Sequence, residues 1–124
     1  MAADIAVNGQ TPDQYEAVGR RIIVGVAMWV GALEFDLLLG DVHSLKEKRS
    51  LVRPLIAEVR KRFEVSVAEV DHLDLHRRAG VGVAVVSPDR AHLVEVLDTV
   101  ERLVAYRPEM ELLSVRRTVR TAED

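Results

Sequence analysis

Ser44–Phe63, SLKEKRSLVRPLIAEVRKRF, reads as one long helix with an apolar face and a row of cations beside it. Ser44 and Glu47 have the spacing of a capping box, in which the Ser oxygen accepts from the N3 backbone N–H and the Glu carboxylate reaches back. The helix is therefore expected to begin at Leu45. At about 100° per residue, Leu45, Val52, Leu55, Ile56, Val59 and Phe63 share one side, while Lys46, Arg49, Arg53 and Arg60 fall together on its flank. Pro54 removes the donor that would bond Ser50 and predicts a local bend there.

Outward from this helix the pattern changes period. From Trp29 on, Trp29, Leu33, Phe35 and Leu37 share one parity and Glu34 and Asp36 the other, as in a strand with one buried face. Gly40 and Asp41 turn the chain into the helix. Val65–Asp71 reads as a second strand, with Val65, Val67, Glu69 and Asp71 on one side and Ser66, Ala68 and Val70 on the other. The polar connection His72–Arg78 reads as a hairpin loop. Ala79–Val86 is small and apolar on both faces, which suits the middle of a sheet. Ser87 is placed as N-cap and Pro88 at N1 of a second helix, whose apolar face is Leu93, Val96, Leu97, Val100, Leu103 and Val104 and which Pro108 ends. Glu111–Val119 completes the series as a last strand.

Strand, helix, strand, strand, helix, strand is the order of the ferredoxin-like βαββαβ sandwich, an α+β fold with a four-stranded antiparallel sheet and two helices on one face. The other sheet face stays open. By parity Glu34, Asp36, Glu69, Ser114 and Arg116 belong there, on a surface that is either solvated or a dimer seam. The domain is expected over residues 28–120, with 121–124 a polar tail. Residues 1–27 have a turn at Asn8-Gly9 and a helix-start signal at Thr11-Pro12, but no partner element in the repeat, and read as an appendage or a short helix.

Composition narrows the functional classes. The 124 residues suit a single core, at 48% apolar and 30% charged. With 17 Lys and Arg against 20 Asp and Glu the net charge is −3, so contact with a polyanion needs a local patch. The absence of Cys removes disulfides, thiolate metal sites and Cys nucleophiles, and fits a reducing cytoplasm. The longest apolar run, Ile22–Leu33, is too short to span a bilayer as a helix, and the N-terminal residues lack the pattern of a secretory signal.

No catalytic constellation is recognisable, and no cofactor or metal is expected. Lys46, Arg49, Arg53 and Arg60 form a row suited to phosphates, the bland alternative being a solvated flank. Arg77, Arg78, Arg116, Arg117 and Arg120 widen that patch if the sheet brings them near. Lys48 lies toward the apolar side of its helix, which implies snorkelling of its stem or, less simply, a pair with Glu34 or Asp36. His72, Asp74 and His76 alternate as two imidazoles and a carboxylate for zinc would, but they lie in a loop, lack a fourth ligand and neighbour Arg77 and Arg78. Glu34 and Asp36 sit on an open surface rather than in a pocket that would raise a pKa, and Gly80-Val81-Gly82 lies inside a strand. Trp29 and Phe35, the aromatic candidates for base stacking, belong to the helix-covered face.

The run Gly31–Asp71, with Gly80–Ser87 following, resembles the YlxP-like family of bacterial proteins, most specifically in HSLKEKRS at His43–Ser50 and FEVSVAEVD at Phe63–Asp71. The resemblance implies a ferredoxin-like fold, a domain that starts near Met28, no established activity, and genes beside translation-initiation and ribosome-maturation factors. Many relatives carry a Trp after the second strand, where this chain reads HLDLHRRAG at His72–Gly80. The expected function is therefore a non-catalytic cytoplasmic module. It meets rRNA or a ribosomal particle through Lys46, Arg49, Arg53 and Arg60, with neither DNA nor membrane as partner. The alternative is a homodimer that uses the open sheet through Glu34, Asp36, Glu69 and Arg116.

Overall fold

The computed structural model describes residues 28–121. The readings placed on 1–27 and on 122–124 lie outside the described residues. Strand β1 spans Trp29–Leu39, helix α1 Leu45–Arg62, β2 Ser66–Asp71, β3 Arg78–Ser87, α2 Arg90–Ala105 and β4 Met110–Thr121. The four strands form one antiparallel sheet in the order β2-β3-β1-β4. This is the ferredoxin-like α+β arrangement, with β1 and β3 central. No described helix is long and apolar enough to cross a membrane.

The period-2 pattern of β1 decides which face is covered. Leu33, Leu37 and Leu39 are fully buried and Phe35 is 2% exposed. They pack with Val81, Val83 and Val85 of β3 against Val52, Leu55 and Val59 of α1 and Leu93, Leu97 and Val100 of α2. Gly31 continues that parity, and an added Cβ would stand 2.9 Å from Leu97 Cδ1, so α2 lies directly on the β1 backbone. Trp29 is half-buried beside the core, with the Arg90 guanidinium 5.7 Å from its ring centroid.

Local signals hold at the start of α1 and shift at α2. Ser44 Oγ accepts from Glu47 N at 3.1 Å, while the Glu47 carboxylate accepts from His43 N, one residue before the cap. The N-cap of α2 is Asp89, whose side chain accepts from Ala91 N; it is not Ser87. Ser87 is the last residue of β3, paired with Trp29, and its hydroxyl accepts from Asp89 N and donates to Asp89 O. Sheet pairing claims the Ser first, and the next residue able to cap takes over.

Two bulges change the parity arithmetic. Glu69 lies opposite Val81 on the helix-covered side, at the parity of Val67, and the β2–β3 register shifts only after it, between Glu69 and Asp71. Asp71 meanwhile pairs with Gly80 on the open side. The extra residue corrects the expected grouping of Asp71 with Val67 and Glu69, while the placing of Glu69 on the open face is corrected by the parity it shares with Val67. A second shift, between Asp36 and Leu37 on the β1–β4 side, leaves Leu113 unpaired and 42% exposed.

Gly80 is required by the first bulge, because a Cβ there would stand 2.5 Å from Asp71 Cβ and 3.1 Å from Asp71 Cα. Gly80→Ala is expected to destabilise the fold by about 1–3 kcal/mol in urea unfolding. Gly40→Ala, where nothing lies within 4 Å, is expected to leave the midpoint unchanged.

Candidate nucleic-acid interface

Lys46, Arg49 and Arg53 succeed one another along the exposed flank of α1 and, with Ser50 and Pro54, line a shallow depression of about 350 Å³. None of the three has a hydrogen-bond or ion-pair partner among the described residues. With a rise of about 1.5 Å per residue, Lys46 and Arg53 stand about 10 Å apart along the axis. Arg60 continues the row but is tethered, since its Nη2 donates to Val67 O of β2 at 2.8 Å. Beyond it the C-terminal end of α1 borders a larger hollow of about 750 Å³, lined by Arg60, Lys61, Phe63 and Val65 among others.

The expected widening of the patch does not occur. Arg78 forms a bidentate pair with Asp36 on the open face, at 2.5 and 3.1 Å. Arg117 turns to the helix side and binds Asp98 at 2.9 Å and Glu101 at 3.0 Å. Arg77 donates to Gly40 O, and Arg116 lies 3.8 Å from Glu34 on the open face. Each of these four is held by an acid or a carbonyl elsewhere instead of joining the row on α1.

Glu34, Asp36, Ser114 and Arg116 occupy the open face, as parity requires, and line a hollow of about 440 Å³ with Asp71, His72 and Gly80. Glu69 does not join them. It faces α1, where its Oε2 lies 2.8 Å from Lys48 Nζ. Lys48 is only 2% exposed, so its head does not snorkel to water, and its partner is Glu69 rather than Glu34 or Asp36. The ammonium donates to His72 O at 2.7 Å, and Glu69 meets it off the hydrogen-bond direction, as an ionic contact. The signal for this pair was available: a Lys on the apolar side of the helix, and a Glu with the parity of Val67. The left-handed turn that brings the His72 carbonyl to the same ammonium was not.

His72 joins the two sides of the sheet. Its backbone lies at φ 57°, a left-handed conformation unusual for a non-glycine residue. That conformation aims its carbonyl at both Lys48 Nζ and Leu75 N, at 2.7 and 3.1 Å. The ring packs toward Asp36, Nε2 lying 3.4 Å from Oδ1. The same turn prevents His72, Asp74 and His76 from alternating along an extended segment. Among the described residues no group of three or more His, Cys, Asp or Glu is placed to hold a metal.

Hydrogen bonds from Arg78 hold the Asp36 carboxyl below its ordinary value of 3.8, burial opposing the shift and the charges of Arg78 and His72 adding to it. A depressed carboxyl contributes stability that is complete above its unfolded pKa and is lost as pH falls through the folded one. The difference in urea midpoint between the wild type and Asp36→Asn is therefore expected to be constant near neutrality and to shrink once the pH drops below the ordinary carboxylate range. Removing one partner of the inner pair leaves an uncompensated buried charge. Glu69→Gln is expected to cost toward the lower end of about 3–5 kcal/mol, since Glu69 keeps some water contact, while Lys48→Met/Glu69→Leu together restores most of it. Urea unfolding of both variants measures the difference.

The family described as "Protein of unknown function (DUF503)" matches residues 30–117. "Uncharacterized protein YlxP" of Bacillus subtilis (strain 168) is 32% identical over 82 residues, covering 66% of this chain and 89% of that protein. Among solved structures, "De novo designed protein Foldit4" aligns with a TM-score of 0.45 and 17% identity over 73% of this chain and 96% of that one. The span of the family match and the similarity to YlxP identify this chain as a member of the DUF503 family.

Proposed function

We propose that this protein is a non-catalytic cytoplasmic module that binds RNA along the flank of α1, in the setting of ribosome assembly or translation. The observation that supports this reading is a contrast in neutralisation. On the sheet and around α2, Arg78, Arg107, Arg116 and Arg117 each lie against a carboxylate. On α1 the successive cations Lys46, Arg49 and Arg53 face solvent, and none of them forms an ion pair or hydrogen bond with a described residue. In a chain of net charge −3, that row is where a phosphate backbone gains most and displaces no internal pair. Cations without aromatic platforms hold phosphates rather than read bases, so the module is expected to favour RNA for its charge and shape.

The competing reading is a homodimer joined through the open sheet. Glu34 and Arg116 are exposed there, but Asp36 is already satisfied within the chain by Arg78, which leaves fewer free charges to specify a seam.

Lys46→Glu/Arg49→Glu/Arg53→Glu is expected to abolish cosedimentation with ribosomal particles while leaving the far-ultraviolet circular dichroism unchanged. For the wild type, the logarithm of RNA affinity is expected to fall against the logarithm of salt with a slope of about −2 to −3, as three phosphate contacts require. Retention of the triple variant on the particles, or binding that ignores salt, would overturn the proposal. Arg60 is left out of the variant because its bond to Val67 O makes its loss a structural change as well.

A further inference from the structure

We propose that the outer edge of β4 is a second binding site, which takes an extended acidic peptide as a fifth strand. The two edges of this sheet are finished differently. β2 is 6 residues long, carries a bulge, and has Val67 O covered by the Arg60 guanidinium, all devices that stop a strand from recruiting another. β4 is 12 residues long, and its register shift lies before Ser114. From Ser114 to Arg120 it runs in unbroken pairing with β1 on one side, and on the other no strand pairs with it and no described side chain hydrogen-bonds its backbone. Every second residue of that run directs its N–H and C=O away from β1, which is the template used in strand addition.

The side chains along this edge select the occupant. On the open face the run presents Arg116 and Arg120 with Ser114 and Thr118 between, all exposed. On the helix face it presents half-buried Val115 and Val119 about Arg117, whose charge is already met by Asp98 and Glu101. Directly opposed side chains in an antiparallel pair stand about 4.5–5.5 Å apart. An incoming strand with carboxylates on its open-face parity would meet Arg116 and Arg120. On the other parity it meets two valines and the acids of α2, which favours apolar residues and repels further carboxylates. Glu34, 3.8 Å from Arg116, weakens the attraction at that one position, and Arg120 has no such neighbour among the described residues. The site therefore specifies a sequence alternating acidic and β-branched apolar residues, on a face the sheet separates from the cations of α1.

The test uses the full chain and a blocked heptapeptide alternating Glu and Val, with a control of the same composition in which the Glu residues are grouped. Saturable binding of the alternating peptide is expected, with slowed amide exchange at alternate residues of Ser114–Arg120, and at least tenfold weaker binding of the control. Arg116→Glu/Arg120→Glu is expected to lose the Glu peptide and to gain a heptapeptide alternating Lys and Val, while retaining the RNA salt dependence of the wild type. Equal binding of both Glu peptides, or protection confined to α1 or β2, would overturn the proposal. So would protection, without peptide, of the β4 amides that point away from β1, whether in the monomer or in a self-associated form of concentration-dependent mass. In that case the edge belongs to this chain or to a second copy.

Discussion

Burial of one parity of β1 is the constraint from which the rest of the molecule follows. Leu33, Phe35, Leu37 and Leu39 are sealed beneath both helices, and each such side chain stabilises the fold by about 1.5–3 kcal/mol relative to exposure. Because successive side chains on a strand alternate, sealing these four commits Glu34 and Asp36 to the opposite surface. It also commits α1 to lie with Val52, Leu55 and Val59 inward, and helical geometry then turns Lys46, Arg49 and Arg53 outward. The proposed RNA surface is a consequence of core packing, with no separate element built to carry it.

Where the β2–β3 hairpin leaves the sheet, apolar packing gives way to a polar brace. Lys48 reaches from α1 to Glu69 and to the His72 carbonyl, and the His72 ring continues to Asp36 and Arg78 on the other side. A buried ion pair is weak evidence for stability, since desolvation offsets much of its Coulombic gain. Its value here is geometric. The pair and the left-handed His72 fix where the loop leaves the sheet, and they depend on the bulge at Val70 that Gly80 accommodates.

Strand and helix identity were legible wherever a periodic pattern ran unopposed. The Ser44 cap, the apolar faces of α1 and α2, and the open-face placement of Glu34, Asp36, Ser114 and Arg116 all followed from counting residues. Counting failed where one residue was inserted or one hydrogen-bonding group had two possible employers. The bulge moved Asp71 to the open side, while Glu69 kept the parity of Val67. Ser87 was able to cap a helix or end a strand, and the strand took it. The guanidinium groups of Arg78, Arg60 and Arg117 are long enough that strand position says little about which acid or carbonyl they reach.

By itself, then, the sequence determined the order of elements, the inward faces and the row of cations on α1, because these rest on periodicities of 2 and 3.6 that any local stretch displays. Tertiary structure alone decided which of those cations stay unneutralised, that the His72 carbonyl meets Lys48, and which sheet edge remains unpaired. Each depends on side chains distant in the chain meeting across the sheet, and a single bulge resets those meetings without leaving a mark in the pattern of residues.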